Sequence, residues 1–129
     1  WDLLHKANLL TAVNATRAAL PLLSTSGRVI YIGAAGAVKA GVGMGPYAAS
    51  KAGVAKLAEA LAEEVKDRNI TVNAILPSTI DTPANRADMP DADVSRWVQP
   101  EQIADLIVFL LSDRASAITG ALIPIVGRV

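Results

Sequence analysis

The residues best able to do chemistry in this chain are Tyr47 and Lys51, in the run Tyr47-Ala48-Ala49-Ser50-Lys51. Residues four apart share one face of a helix, so a helical segment would make the phenol and the ammonium neighbours. A phenol ordinarily ionises at about pH 10 and is a poor proton donor at neutrality. A fixed ammonium beside it favours the phenolate, and the positive N-terminal end of a helix pushes the same way. The pair is therefore a candidate general acid. Both residue types are common, and the spacing alone also fits a surface tyrosine beside a solvated lysine.

The other candidates carry less. His5 is the only histidine and has no second ligand at metal spacing, so it reads as a surface residue and no metal site is expected. Asp81, Asp88, Asp91 and Asp93 crowd one polar segment, where solvated carboxylates are the plain expectation. Arg86 lies in the same segment as a candidate substrate contact. Trp97 is expected to anchor the segment, since tryptophan bodies are mostly buried. The run Gly41-Val42-Gly43-Met44-Gly45 has alternating glycines but does not join a first strand to its helix. It reads as a flexible substrate loop.

Regular elements must position these groups. Leu3, Leu4, Ala7, Leu10, Val13 and Ala18 recur at helical spacing and predict a helix over 1–23, stopped by Ser24 to Gly27. Val29 to Ile32 is a short β-branched run and reads as a buried strand. Small residues from Gly33 to Gly45 make a loop. Pro46 suits a first helical turn, and Val54, Leu57, Leu61 and Val65 carry that helix over 46–67. Ile70 to Leu76 predicts a second strand, ended by Pro77. Residues 77–98 are polar and proline-rich and read as one long loop, the kind that serves as a lid or binding segment. Pro100 opens a third helix with Ile103, Leu106, Ile107 and Leu110 on one face. Leu122 to Val126 predicts a third strand, whose Pro124 suits a sheet edge or a position where the ladder needs no N–H.

Helices alternating with strands predict an α/β chain of three parallel strands with right-handed crossovers. A doubly wound nucleotide-binding sheet has about six strands in two halves. The pattern is that of one half, the C-terminal half of a Rossmann-type sheet, as a single domain over 1–129. The chain opens on Trp1 inside an amphipathic pattern, which reads as a truncation that leaves out the N-terminal half.

Composition narrows the function classes. Hydrophobic residues make up 52% and charged residues 19%, enough to bury a core and to argue against disorder. Twelve Lys and Arg balance twelve Asp and Glu with no basic stretch, so no nucleic-acid partner is expected. The absence of cysteine excludes disulfides, thiolate metal sites and a cysteine nucleophile. No uncharged apolar stretch approaches the ~20 residues of a membrane span, so no membrane partner is expected.

The segments GPYAASKAGVAKLAEALAEEV, ITVNAILP and ITGALIPIVG, with the opening WDLLHKANLLTAVNATRAALPLL, resemble the short-chain dehydrogenase/reductase family over nearly the whole chain. The resemblance implies a cytoplasmic oxidoreductase using NAD or NADP on a small-molecule substrate. It also implies a homodimer or homotetramer paired through helices 1–23 and 46–67. It makes Tyr47 the proton donor. Lys51 would hold the nicotinamide ribose and tune the tyrosine, and Asn8 would support a proton relay through water. Pro77 and Thr82 match the family's Pro-x-x-x-x-Thr motif, with Thr82 and the Ile80 backbone holding the nicotinamide carboxamide. The family's substrate-binding serine falls at Gly33 or Ala34, and neither has a hydroxyl. The family's glycine-rich phosphate loop, TGxxxGxG, is not found, so this chain is expected to be inactive by itself. The stretch ILPSTIDTPANRADMPDADVSRW resembles more narrowly the quinonoid dihydropteridine reductases, which also lack that serine. A quinonoid pterin accepts hydride into a conjugated ring and has less need of a hydroxyl beside a carbonyl. The expected activity is thus NAD(P)H-dependent hydride transfer to a pterin-like or other conjugated acceptor. The alternatives are a carbonyl reductase of the 3-oxoacyl thioester type and a non-catalytic association fragment.

Overall fold

The computed structural model describes residues 1–129. The first helix runs without a break but changes pitch. Helix α1 (Asp2–Leu4) passes into a π-helical stretch, His5–Leu10, then into α2 (Thr11–Ala19) and a closing 3-10 turn, Leu20–Leu22. Then come β1 (Arg28–Ile32), α3 (Gly45–Val65), β2 (Thr71–Pro77), α4 (Pro83–Asp88), α5 (Pro100–Leu111) and β3 (Leu122–Ile125). The strands are parallel in the order β1-β2-β3, with Ile32 beside Ile75 and Pro77 beside Ile125. Pro124 lies on β3, at one side of this three-stranded order, where a missing N–H is tolerated.

Strand side chains alternate between two cores. Tyr31, Val72, Ala74 and Leu76 meet Val54, Ala58, Leu61 and Val65 of α3 on one face, with Leu9 and Ala12 packed alongside. Small residues let the helices approach. A Cβ on Gly53 would lie 2.9 Å from Leu9 Cδ2, closer than real contacts allow. Ile75 points the other way, into a cluster with Leu110, Leu106, Ile30 and Ile123.

This arrangement corrects the expectation of uniformly right-handed crossovers. The chain steps from β1 to β2 and from β2 to β3 in the same direction, yet α3 and α5 lie on opposite faces. Two parallel crossovers of that kind have opposite hands. The right-handed rule rests on a twisted strand feeding a helix that packs straight back onto the sheet. Here the segment after β2 first travels outside the sheet, which frees α5 to take the other face.

That segment is also not one long loop. It holds α4 and a 3-10 turn, Val94–Arg96, and Ile80 pairs with Val98 in an isolated parallel bridge. Thr82 caps α4 by accepting from the Asn85 N–H at 3.1 Å, with Pro83 in the first turn. Trp97 is buried and anchors the segment, as expected. Arg86 does not stand free for a substrate. It donates to both carboxylate oxygens of Asp81, at 2.6 and 2.9 Å, and Gln99 donates to the same carboxylate at 3.1 Å.

The Arg86 hydrogen bonds, with help from Gln99, lower the Asp81 pKa from the usual carboxylate range to about 2. A depressed folded-state pKa stabilises above the unfolded value and loses that contribution as pH falls through the folded one. The segment should therefore stay docked down to about pH 4 and loosen between about pH 4 and 2. Trp97 fluorescence in a Trp1→Phe background reads this directly. A transition confined to that window and missing from Asp81→Asn is expected, and one centred near pH 6 would assign the docking to another group.

Candidate active site

Tyr47 is the third residue of α3 and Lys51 lies one turn further along. Pro46 in the first turn presets the backbone there, and the N-terminal location puts Tyr47 at the positive end of the helix. Both side chains line a cleft of about 510 Å³ outside the carboxyl ends of β1 and β2. In open parallel sheets this is where ligands bind. Its β1 side carries Ile32, Gly33 and Gly36, and its β2 side carries Pro77, Ser78, Thr79 and Ile80.

Lys51 Nζ donates to the Ile32 carbonyl at 3.1 Å, which ties the ammonium to the end of β1. Burial lowers the Lys51 pKa below the ordinary lysine value. A protonated amine has three donors, so two remain for a ligand. Asn8 lies within the π-helical stretch and donates from Nδ2 to Ser50 Oγ at 3.0 Å; Ser50 in turn donates to the Tyr47 carbonyl at 2.8 Å. Asn8 and Lys51 share a second cleft of about 300 Å³ with Thr11 and Tyr31, a polar space with room for water.

Gly33, Pro77 and Ile80 thus join Tyr47 and Lys51 on one cleft, while Asn8 meets Lys51 on the neighbouring one. Ala34 and Thr82 are not on the lining. Ala34 is buried in extended backbone. The Thr82 hydroxyl faces Asn85, although accepting that bond leaves its own proton to donate. The β1 wall has no hydroxyl, and Gly33 leaves little space for one: its N–H donates to Ile75 O at 2.8 Å, and an added Cβ would come within 2.7 Å of Leu76 Cδ2.

The sequence pointed to the segments but did not single out several lining residues: Met44 within the substrate loop 41–45, and Ser78, Thr79, Asn85 and Met89 within the binding segment 77–98. Asn85 had a readable signal, since it follows the capping residue Thr82 by three. Its side chain donates to the Ile80 carbonyl at 2.8 Å and stiffens the β2 wall. Met89 had none, because nothing local joins it to Tyr47, 42 positions earlier in the chain.

Residues 1–127 match a family model described as Enoyl-(Acyl carrier protein) reductase. The chain is 33% identical over 137 residues to the 3-oxoacyl-(acyl-carrier-protein) reductase FabG of Thermotoga maritima, covering 98% of this chain and 56% of that protein. Among solved structures, a mutant short-chain dehydrogenase/reductase of Serratia marcescens superposes with a TM-score of 0.88 at 30% identity, over 98% of this chain and 55% of that one. A 3-oxoacyl-(acyl-carrier-protein) reductase of Brucella melitensis with bound NAD gives 0.81 at 27% identity, over 95% and 48%. The chain spans about half the length of the curated relatives it matches.

Proposed function

Because the chain belongs to the short-chain dehydrogenase/reductase family, we propose that it forms the proton-donating, active-site part of an NAD(P)H-dependent reductase. One observation carries this reading. Tyr47 and Lys51, on one face of α3, both open into the cleft at the carboxyl ends of β1 and β2.

The cleft's donors fit the nicotinamide side of a dinucleotide. Two free Lys51 donors suit the vicinal hydroxyls of a ribose, and the Ile80 backbone suits a carboxamide beside Pro77, with the Thr82 proton as a further donor from just off the lining. The bound dinucleotide would supply the hydride. Tyr47 supplies the proton, and Asn8 with water in the neighbouring cleft returns it by way of Lys51. In this reading residues 1–129 act as one domain, with copies pairing through the helices of 1–23 and 46–67.

For the acceptor we favour a conjugated, pterin-like ring. A carbonyl acceptor concentrates charge on one oxygen, and losing one donor to such an oxygen costs about 3–4 kcal/mol at the transition state. Gly33 and Ala34 offer no such donor, whereas a conjugated acceptor spreads the charge. A carbonyl acceptor is the second reading, favoured by relatives named as 3-oxoacyl-(acyl-carrier-protein) reductases.

The full-length protein, assayed with NADH and NADPH against a quinonoid dihydropterin, a 3-oxoacyl thioester and simple ketones, separates the two. A higher kcat/KM on the dihydropterin is expected. A tenfold advantage for a ketone or thioester would replace this reading with the second.

A further inference from the structure

The chain contains two methionines, and both line the same cleft. Met44 precedes α3 on the β1 side, and Met89 caps the end of α4 on the β2 side. They lie 45 positions apart in sequence, and each is partly exposed at the cleft, at 40% and 39%. Met44 also sits beside the proton donor. A Cβ on Gly36 would lie 3.8 Å from the Met44 methyl and 4.0 Å from the edge of the Tyr47 ring.

Both thioethers open onto a cleft whose other lining residues are the apolar Ile32, Pro77 and Ile80, the small or polar Gly33, Gly36, Ser78, Thr79 and Asn85, and the pair Tyr47 and Lys51. A thioether is flexible and polarizable, and it makes favourable contacts with aromatic rings. We propose that Met44 and Met89 are the specificity-determining residues of the acceptor end, gripping a flat conjugated ring between two thioethers next to Tyr47. A glycine at 36 keeps the floor between Met44 and Tyr47 open for the edge of that ring. An aliphatic acyl chain gains no sulfur–aromatic contact there. This proposal rests on the reductase reading and adds the chemistry by which the site selects its substrate.

Two measurements on the full-length protein test it. In steady-state kinetics, Met44→Ala and Met89→Ala should each raise KM for the dihydropterin about fivefold or more, with kcat and the KM for a 3-oxoacyl thioester within about twofold. Equal shifts for both acceptors, or none for the ring, would overturn it. The second measurement needs no turnover. Dilute peroxide converts exposed methionine to its sulfoxide, and mass spectrometry follows Met44 and Met89 separately. A stable oxidised pterin should slow both oxidations several-fold, in wild type and in Tyr47→Phe alike, whereas the thioester should not. Absent protection refutes the methionine slot alone. Protection in a Tyr47→Phe protein that still turns over would leave the slot standing and refute the proton-donor reading.

Discussion

Tyr47→Phe in the full-length protein is expected to lower kcat at least 100-fold and to leave KM within about threefold, since a positioned general acid contributes roughly 10²–10⁴ in rate. The substitution removes one oxygen and keeps the ring that packs beside Gly36 and Met44. Tyr47 is the one phenol on the cleft, and no histidine or carboxylate lines it. The β1 wall has only Gly33 and Gly36 where another hydroxyl would have to stand. Across the cleft Ser78 already donates to the Val126 carbonyl at 2.9 Å. Lys51 is held on the Ile32 carbonyl and serves the site through its charge. The separation of kcat from KM matters, because a tyrosine that merely shaped the cleft would change both. Turnover within threefold of wild type on the true acceptor would remove Tyr47 from the chemistry.

What could be read from the sequence was what local periodicity encodes. The Tyr47 and Lys51 pairing needs only a helix, and Pro46 with the following apolar stripe specifies one. Val29 to Ile32 and Ile70 to Leu76 are apolar runs of strand length, and the structure places β1 and β2 there with ends shifted by one residue. Pro124, lacking an N–H, announced a sheet edge or a position where the ladder needs none. The features that escaped depend on tertiary contact. The π-helical pitch around Asn8 falls where Leu9 of the first helix seats against Gly53 of α3. Helix α4 is too short for a periodic signal, and only its Thr82 cap with Pro83 betrays it. The choice of face by α5 depends on where Trp97 and Val98 dock, which no local pattern states. The cleft itself is assembled from separate stretches of chain, so Asn85 and Met89 could not be joined to Tyr47 by spacing.

Asn73 is the clearest residue of this second kind, and its replacement should carry the largest stability cost. Asn73→Leu is expected to lower unfolding free energy by about 3 kcal/mol, since each buried group left without a partner costs roughly 1–3 kcal/mol. Asn73 is 1% exposed at the centre of β2. Its Nδ2 donates to the Ile118 carbonyl at 2.9 Å, and its Oδ1 accepts from the Ala121 N–H at 3.0 Å. The same turn is held from the neighbouring position. Val72 N–H donates to Thr119 Oγ1 at 3.0 Å, and Gly120 N–H donates to the Val72 carbonyl at 2.7 Å. Gly120 has φ +70°, which suits glycine, so the turn is built to meet β2 at this point. The clamp fixes the register of β3, from Leu122 beside Ala74 to Ile125 beside Pro77. That register in turn carries Ser78, whose N–H donates to Ile125 O at 3.1 Å, into the wall of the cleft. Leucine keeps the branched heavy-atom skeleton of asparagine, in a bulkier form, but satisfies neither the Ile118 carbonyl nor the Ala121 N–H. Thr119→Val, which removes one acceptor at the more exposed end of the same turn, should cost about 1 kcal/mol. Urea unfolding of the full-length protein measures both. If Asn73→Leu shifts the midpoint no more than Thr119→Val does, the turn is held by the backbone alone and Asn73 is not the clamp.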